Sequence, residues 1–297
     1  MRLHLVDGTY ELFRAHFSQQ PERASPTGQS IKATVGIAAS MLALLQDPAE
    51  RVTHVAVAFD NPIRSFRNEL FEGYKTDQGV PHSLLAQFDA AELAVSALGM
   101  VVWSMKEWEA DDAIATAAAR WSASVDQVRI LSPDKDFGQC LKEQRVVQVD
   151  RRRKKELDEP GLRLLRGIGP SSIPDWLALV GDAADGIPGI PGFGERTASI
   201  LLARYQHLEH VPLDARPWPA EIRGAYRLKE ALAAAPQEVF LYRKLATLVI
   251  DVPLLQKLED LRWPGVPRAR FQAWCDSLGL TDLKSRPSRW SAVDKGS

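Results

Sequence analysis

Cysteine is scarce in this 297-residue chain: Cys140 and Cys275 are the only two. Two thiols cannot build a disulfide framework or a cysteine-built zinc site. No apolar run approaches the roughly 20 residues a membrane helix needs. The first residues enter a short apolar strand without a cleavable leader pattern. Internal repeats and low-complexity tracts are missing as well. Charge of one sign is also lacking, since 37 Lys and Arg face 38 Asp and Glu for a net of −1. These absences exclude a disulfide-stapled secreted domain, a membrane protein and a repeat array. A cytoplasmic protein without a membrane partner is expected.

What is present is an alternation. Short runs rich in Val, Leu and Ile occur at 3–6, 54–59, 101–103, 128–131 and 146–149. They are apolar on both faces, as buried parallel strands are. Helical periodicity occupies 31–46, 84–98 and 109–121 between them. The pattern predicts an α/β fold with a mostly parallel central sheet flanked by helices. It changes after the Arg-Arg-Arg-Lys-Lys run at 151–155, which reads as a solvated connection. Residues 1–157 are therefore expected to form the α/β domain. Residues 158–283 form a helical region broken by Gly and Pro, and 284–297 a polar disordered tail.

Carboxylates collect where such a fold places ligands. Asp7, Asp60, and Asp134 with Asp136 each follow an apolar run. Ligand sites of open parallel sheets lie outside the carboxyl ends of the strands. Glu109, Asp111 and Asp112 open the helix that follows 101–103. One of the three suffices as a cap, and the helix dipole tolerates acids there. Asp182 and Asp185 lie in Val-Gly-Asp-Ala-Ala-Asp-Gly-Ile-Pro-Gly, where Asp before Gly also serves as an ordinary turn residue. Setting these nine acids aside leaves 29 against 37 Lys and Arg, a balance of +8 for the rest of the chain. Such a cluster repels itself unless cations are present. All-oxygen ligands without His suit Mg²⁺ or Mn²⁺ rather than zinc. Two such ions can clamp an in-line phosphoryl displacement.

Five segments together carry a family resemblance. They are Leu-Val-Asp-Gly (5–8), Phe-Asp…Ser-Phe-Arg…Tyr-Lys (59–75), Glu-Ala-Asp-Asp (109–112), Asp-Lys-Asp (134–136), and Gly-Asp…Asp-Gly-Ile-Pro-Gly-Ile-Pro-Gly-Phe-Gly-Glu-Arg-Thr-Ala (181–198). The chain resembles the 5′-nuclease family: the N-terminal domains of bacterial type-A DNA polymerases, phage 5′-exonucleases and flap endonucleases. The resemblance covers roughly residues 1–250 and implies a PIN-like fold with a helical arch, in a stand-alone, bacterial-type form. It implies that Asp7, Asp60 and Asp111 hold one metal and that Asp111, Asp134, Asp136 and Asp182 hold the second. Glu109, Asp112 and Asp185 act directly or through water. Lys75 and Arg67 match family residues that meet the scissile phosphate. Arg14 is a further phosphate contact, and Tyr74 stacks on an end base or packs.

The Gly189-Ile-Pro-Gly-Phe-Gly194 segment resembles the hairpin of a helix–hairpin–helix. Gly189, Gly192 and Gly194 let backbone approach phosphates, and Arg196 and Thr197 open the next helix. Such contacts hold duplex without reading sequence. Family hairpins also bind K⁺ through carbonyls, here those of Pro188, Ile190 and Phe193. Gly167-Ile-Gly169 aligns instead with an ordinary turn. The implied activity is hydrolysis of DNA at 5′ flaps, nicks, gaps or ends, RNA-primed ones included. The implied protein is a monomer that works beside a DNA polymerase and ligase. Two departures stand out. Gln78 replaces the family's arch arginine, and Lys106 is the only Lys or Arg in 76–108. A DNA-binding protein of the same fold with weak or no catalysis, and a small-molecule phosphohydrolase, are the competing readings.

Overall fold

The computed structural model describes residues 1–292. The chain forms two compact units. One comprises Met1–Arg64, Asp77–Ser132 and the segment from Ile250 onward; the other comprises Ser65–Thr76 and Pro133–Val249.

The first unit is built on four parallel strands: β1 (Arg2–Asp7), β2 (His54–Asp60), β3 (Val101–Met105) and β4 (Gln127–Leu131), in the order β3-β2-β1-β4. Leu3, Leu5, Val6, Val55, Val57, Phe59, Val128 and Ile130 are buried, which is why the runs are apolar at consecutive positions. The register sets Asp7 opposite Ala58, Val6 opposite Leu131 and Asp60 opposite Met105. The strands therefore end level with one another. Helices α1 (Gly8–His16), α2 (Lys32–Gln46), α3 (Phe88–Ala97) and α4 (Ala110–Trp121) complete the layer, with α4 packed on β1, β2 and β3.

The helix expected over 84–98 is broken. His82–Leu85 makes one turn, and α3 begins only at Phe88. Gln87 sits at the break. Its buried side-chain oxygen accepts from Ala33 N (3.0 Å) and Thr34 N (3.1 Å), so it satisfies free donors at the start of α2. Within Asp77–Ser132 the segment before α3 holds a turn, Pro81 and a single helical turn, and α3 packs on α2.

The chain returns to this unit at its end. Trp103 Nε1 donates to Gln256 Oε1 (2.9 Å), and Trp263 Nε1 donates to Leu98 O (2.9 Å). The expected disordered tail is corrected over its described part. Ser291 N donates to Val266 O (2.9 Å), Val266 N to Arg289 O (3.0 Å), and Trp290 packs on Phe271. An aromatic anchor and paired backbone hold what looked polar and aperiodic. Residues 293–297 of that tail lie outside the described residues.

The second unit holds an antiparallel pair, β5 (Val146–Asp150) and β6 (Lys155–Leu157), whose turn is the basic run. Helices α5 (Glu159–Arg166), α6 (Ile173–Val180), α7 (Glu195–Tyr205) and α8 (Pro236–Ala246) follow. Helix α6 is apolar nearly all round because α7 and α8 both pack on it. Gly167, at φ 73, ends α5, so the 167–169 segment is the turn it was expected to be. The expected boundary at residue 157 differs from this division. The helical unit also takes in 133–157 and the remote strip Ser65–Thr76.

Candidate metal centre

In the first unit Asp7, Asp60, Glu109 and Asp112 each accept a backbone N–H. Asp7 caps α1: its Oδ1 accepts from Tyr10 N (2.8 Å) and its Oδ2 from Ser132 Oγ (2.9 Å). Asp60 Oδ1 accepts from Ala110 N (2.7 Å), while its own N–H donates to Thr9 Oγ1 (2.8 Å). Glu109 and Asp112 form a reciprocal capping box at the start of α4, with Glu109 N donating to Asp112 Oδ2 (3.0 Å). Capping thus accounts for two of the three acids there. Asp111, between them, is half-buried in the first turn.

The second unit does the opposite with its acids. Asp136, Asp182 and Asp185 each place a carboxylate oxygen within 4.8 Å of the others. At such separations a like-charge pair costs about 4 kcal/mol at an effective dielectric near 20. That is a large share of the roughly 5–15 kcal/mol by which a domain is stable. Two cations offset it: Lys75 Nζ lies 3.0 Å from Asp185 Oδ1, and Lys135 Nζ 3.1 Å from Asp182 Oδ2. Asp136 has neither. Its Oδ1 is buried without a hydrogen-bond partner among the described residues. Burial first, then the charges of Asp134, Asp185 and Asp182, push its carboxyl well above the usual range, against the pull of Lys75. A buried acceptor facing two more carboxylates is the donor set a hard divalent cation requires.

The loop that delivers Asp182 and Asp185 is locked by backbone. Asp182 and Ile187 exchange N–H···O bonds of 2.8 Å, and Lys75 N donates to Asp185 O (3.0 Å). Gly186 has φ 74, and a Cβ there would lie 2.1 Å from Gly73 O, so no other residue fits. Asp134 caps the short 3₁₀ turn that follows it, accepting from Asp136 N (3.0 Å).

Two residues proposed to meet DNA, Arg67 at the phosphate and Tyr74 at an end base, are placed elsewhere. Arg67 is almost fully buried, and its guanidinium donates to Leu245 O (2.8 Å) and Thr247 O (2.9 Å) at the end of α8. It satisfies free carbonyls of a helix terminus, so its assignment to the scissile phosphate is corrected to a structural one. Tyr74 is also buried, in the core with Trp176 and Leu177, and cannot stack on a base. Arg14 is partly exposed, paired with Glu11 and donating to Ser40 Oγ (2.8 Å).

At the hairpin, Gly189 packs closely against Val180 and Gly181, which accounts for its glycine without a ligand. Pro188, Gly192, Gly194 and Arg196 are exposed, Thr197 is half-buried, and Gly189, Ile190 and Phe193 are buried. Ile190 O accepts from Phe193 N (3.1 Å). Gly194 caps α7 at φ −107, and a Cβ there would meet nothing within 4 Å. Packing does not require glycine at 194, which leaves close approach by a ligand as a reason for it. Sequence reasoning missed Thr9, Ser132 and Lys135. Their signal was a small hydroxyl two residues from an acid at a strand end, or, for Lys135, a cation between two acids.

Carboxylates assembled for a hard cation, on a chain that also carries a glycine-rich hairpin between helices, define a metal-dependent nuclease class. The N-terminal resolvase-like domain of 5′–3′ exonucleases matches residues 2–163, and the C-terminal SAM fold of 5′–3′ exonucleases matches 168–269. The chain belongs to the 5′–3′ exonuclease family.

Among its relatives, DNA polymerase I of Pseudomonas aeruginosa is 35% identical over 296 residues, which cover 93% of this chain and 31% of that protein. DNA polymerase I of Bacillus subtilis is 30% identical, over 98% of this chain and 33% of that protein. The chain thus spans about a third of the length of the curated relatives it matches. A solved structure of the bacteriophage T5 flap endonuclease, in a pseudo-enzyme–product complex with DNA and metal ions, shares the fold. Its TM-score is 0.63 at 18% identity, over 96% of both chains. No helix among the described residues is long and apolar enough to cross a membrane.

Proposed function

We propose that the chain is a structure-specific 5′-nuclease that hydrolyses DNA phosphodiester bonds at 5′ ends, flaps, nicks or gaps, including RNA-primed ends. The observation that carries this reading is the Asp136–Asp182–Asp185 cluster, with a buried, unpartnered Asp136 oxygen. Asp7, Asp60 and Asp111 are the ligands of one divalent ion. Asp134, Asp136 and Asp182 are those of another. Glu109, Asp112 and Asp185 hold ligands or bound water in place. Bound Mg²⁺ or Mn²⁺ supplies Lewis-acid stabilisation of the attacking and leaving oxygens.

The protein's own groups do the rest. Lys75, held 3.0 Å from Asp185, is the cation available to the scissile phosphate. Gly192 and Gly194 with Arg196 and Thr197 grip the duplex backbone, and the carbonyls of Pro188, Ile190 and Phe193 are offered to K⁺. Arg14 is a further cationic contact. A cytoplasmic monomer acting in repair and primer removal, beside a DNA polymerase and a ligase, fits this chemistry.

Cleavage of a labelled 5′-flap duplex in Mg²⁺, run beside Asp134→Ala, tests the proposal. The expected result is cleavage by the wild type and at least ~10²-fold less by the variant. Equal rates would sink the ligand assignment. The shortage of cations in 76–108, where Lys106 is the only Lys or Arg, favours the second reading, a DNA-binding protein with little catalysis. Flap binding without cleavage in either Mg²⁺ or Mn²⁺ would establish it.

A further inference from the structure

We propose that Ser132 is a positioning residue for Asp7, fixing the rotation of that carboxylate so that it meets a divalent cation with a defined lone pair. The inference rests on the reading of Asp7 as a metal ligand. Ser132 follows β4 directly and is 1% exposed. Strands β1 and β4 are parallel, with Val6 opposite Leu131, so the next residues, Asp7 and Ser132, leave the sheet side by side. Ser132 Oγ lies 2.9 Å from Asp7 Oδ2. A carboxylate can only accept, so the hydroxyl donates. The other oxygen, Oδ1, already accepts from Tyr10 N at 2.8 Å.

The last torsion of an aspartate is otherwise broad and nearly two-fold. One donor on each oxygen removes that freedom and leaves the remaining lone pairs pointing in set directions. Outer hydrogen bonds of this kind orient metal ligands, and their loss typically costs 10–100-fold in metal affinity or activity. The alternative is that a buried hydroxyl at a strand end has merely taken the nearest acceptor, as buried hydroxyls must. That alternative predicts an effect on stability and none on cation affinity.

Ser132→Ala, Ser132→Thr and Asp7→Asn of the full chain separate these. Mn²⁺ binding is followed without DNA, from the spin resonance of free Mn²⁺, and melting is recorded in EDTA. The Mn²⁺ concentration for half-maximal cleavage of a 5′-flap duplex is measured in parallel. The expected result is an approximately 10-fold weaker Mn²⁺ affinity for Ser132→Ala. The half-saturating Mn²⁺ concentration rises by the same factor, the rate at saturating Mn²⁺ is largely regained, and Ser132→Thr restores the affinity. Wild-type Mn²⁺ affinity in Ser132→Ala, with or without a lower melting temperature, overturns the proposal. If Asp7→Asn weakens binding while Ser132→Ala does not, the positioning role alone fails. If Asp7→Asn binds Mn²⁺ like the wild type, the ligand reading of Asp7 fails and the positioning role goes with it.

Discussion

The two units hold their acids in contrasting ways. In the first, carboxylates are oriented by neutral donors: Tyr10 N and Ser132 Oγ for Asp7, Ala110 N for Asp60, and Glu109 N for Asp112. These bonds stabilise each charge singly and set its direction. In the second, Asp136, Asp182 and Asp185 crowd together, with two lysines as partial counter-charge and one oxygen of Asp136 left bare. The second arrangement stores repulsion that a cation would release. The difference teaches that one chain can meet geometry and electrostatic demand, two requirements of metal binding, in different groups of acids.

The sharpest way to break this contrast is Asp136→Asn. Cleavage should fall by ~10² or more, as for loss of a metal-site group. In EDTA the same variant should melt several degrees higher than the wild type, because an amide relieves the like-charge contacts. The pH dependence has a definite sign. The folded-state value of Asp136 is raised, so its stabilising contribution is full below the ordinary carboxylate value and lost as pH rises through the raised one. Metal-free wild type should therefore lose stability with rising pH in that window more steeply than Asp136→Asn. A lower melting temperature for the variant would remove the claim of stored repulsion.

Arg67 and Lys75 give the next largest effect. Arg67→Ala strips donors from Leu245 O and Thr247 O and should cost about 3 kcal/mol of stability in denaturant unfolding. Lys75→Ala should slow cleavage and, in EDTA, also lower stability, because it removes the counter-charge beside Asp185. Wild-type stability in Arg67→Ala together with slow cleavage would return Arg67 to the phosphate.

Gly194→Ala is subtler. The new methyl meets nothing, so the melting temperature should hold. Affinity for duplex DNA should drop several-fold if phosphate approaches that backbone, and Arg196→Gln should lower the salt slope of binding by about one.

The smallest effect concerns Glu50 in the first unit. His4 and Arg129 hold its carboxyl down at about 2, His4 being the stronger cause. A depressed value stabilises above the ordinary 4.5 and loses that contribution as pH falls toward 2. Glu50→Gln should flatten this part of the acid-unfolding curve.

Much of this was legible in the amino-acid order. Runs such as 55–59 announce buried parallel strands because every residue is apolar, and Asp7 and Asp60 announce a site because they end such runs. Other features depend on partners far along the chain. Arg67 and Tyr74 belong to a recognisable motif, yet a motif does not state which way a side chain faces. Arg67 is claimed by carbonyls at 245 and 247 and Tyr74 by the core around Trp176. The break before α3 arises because Gln87 serves the start of α2, about fifty residues upstream. The tail is anchored by Trp290, one aromatic in a polar stretch.

The strip Ser65–Thr76 carries a consequence for synthesis. Its partners lie between Pro133 and Val249, down to Arg67 on the end of α8 and Gly73 against Gly186. The first unit in turn is closed only by residues beyond Ile250. On a ribosome, the second unit cannot be finished until Val249 has emerged and the first not until the last sixth of the chain has, and the early strip must wait without its partners. Cutting the gene near codon 157 would therefore yield two orphans rather than two domains, whereas both halves supplied together could assemble.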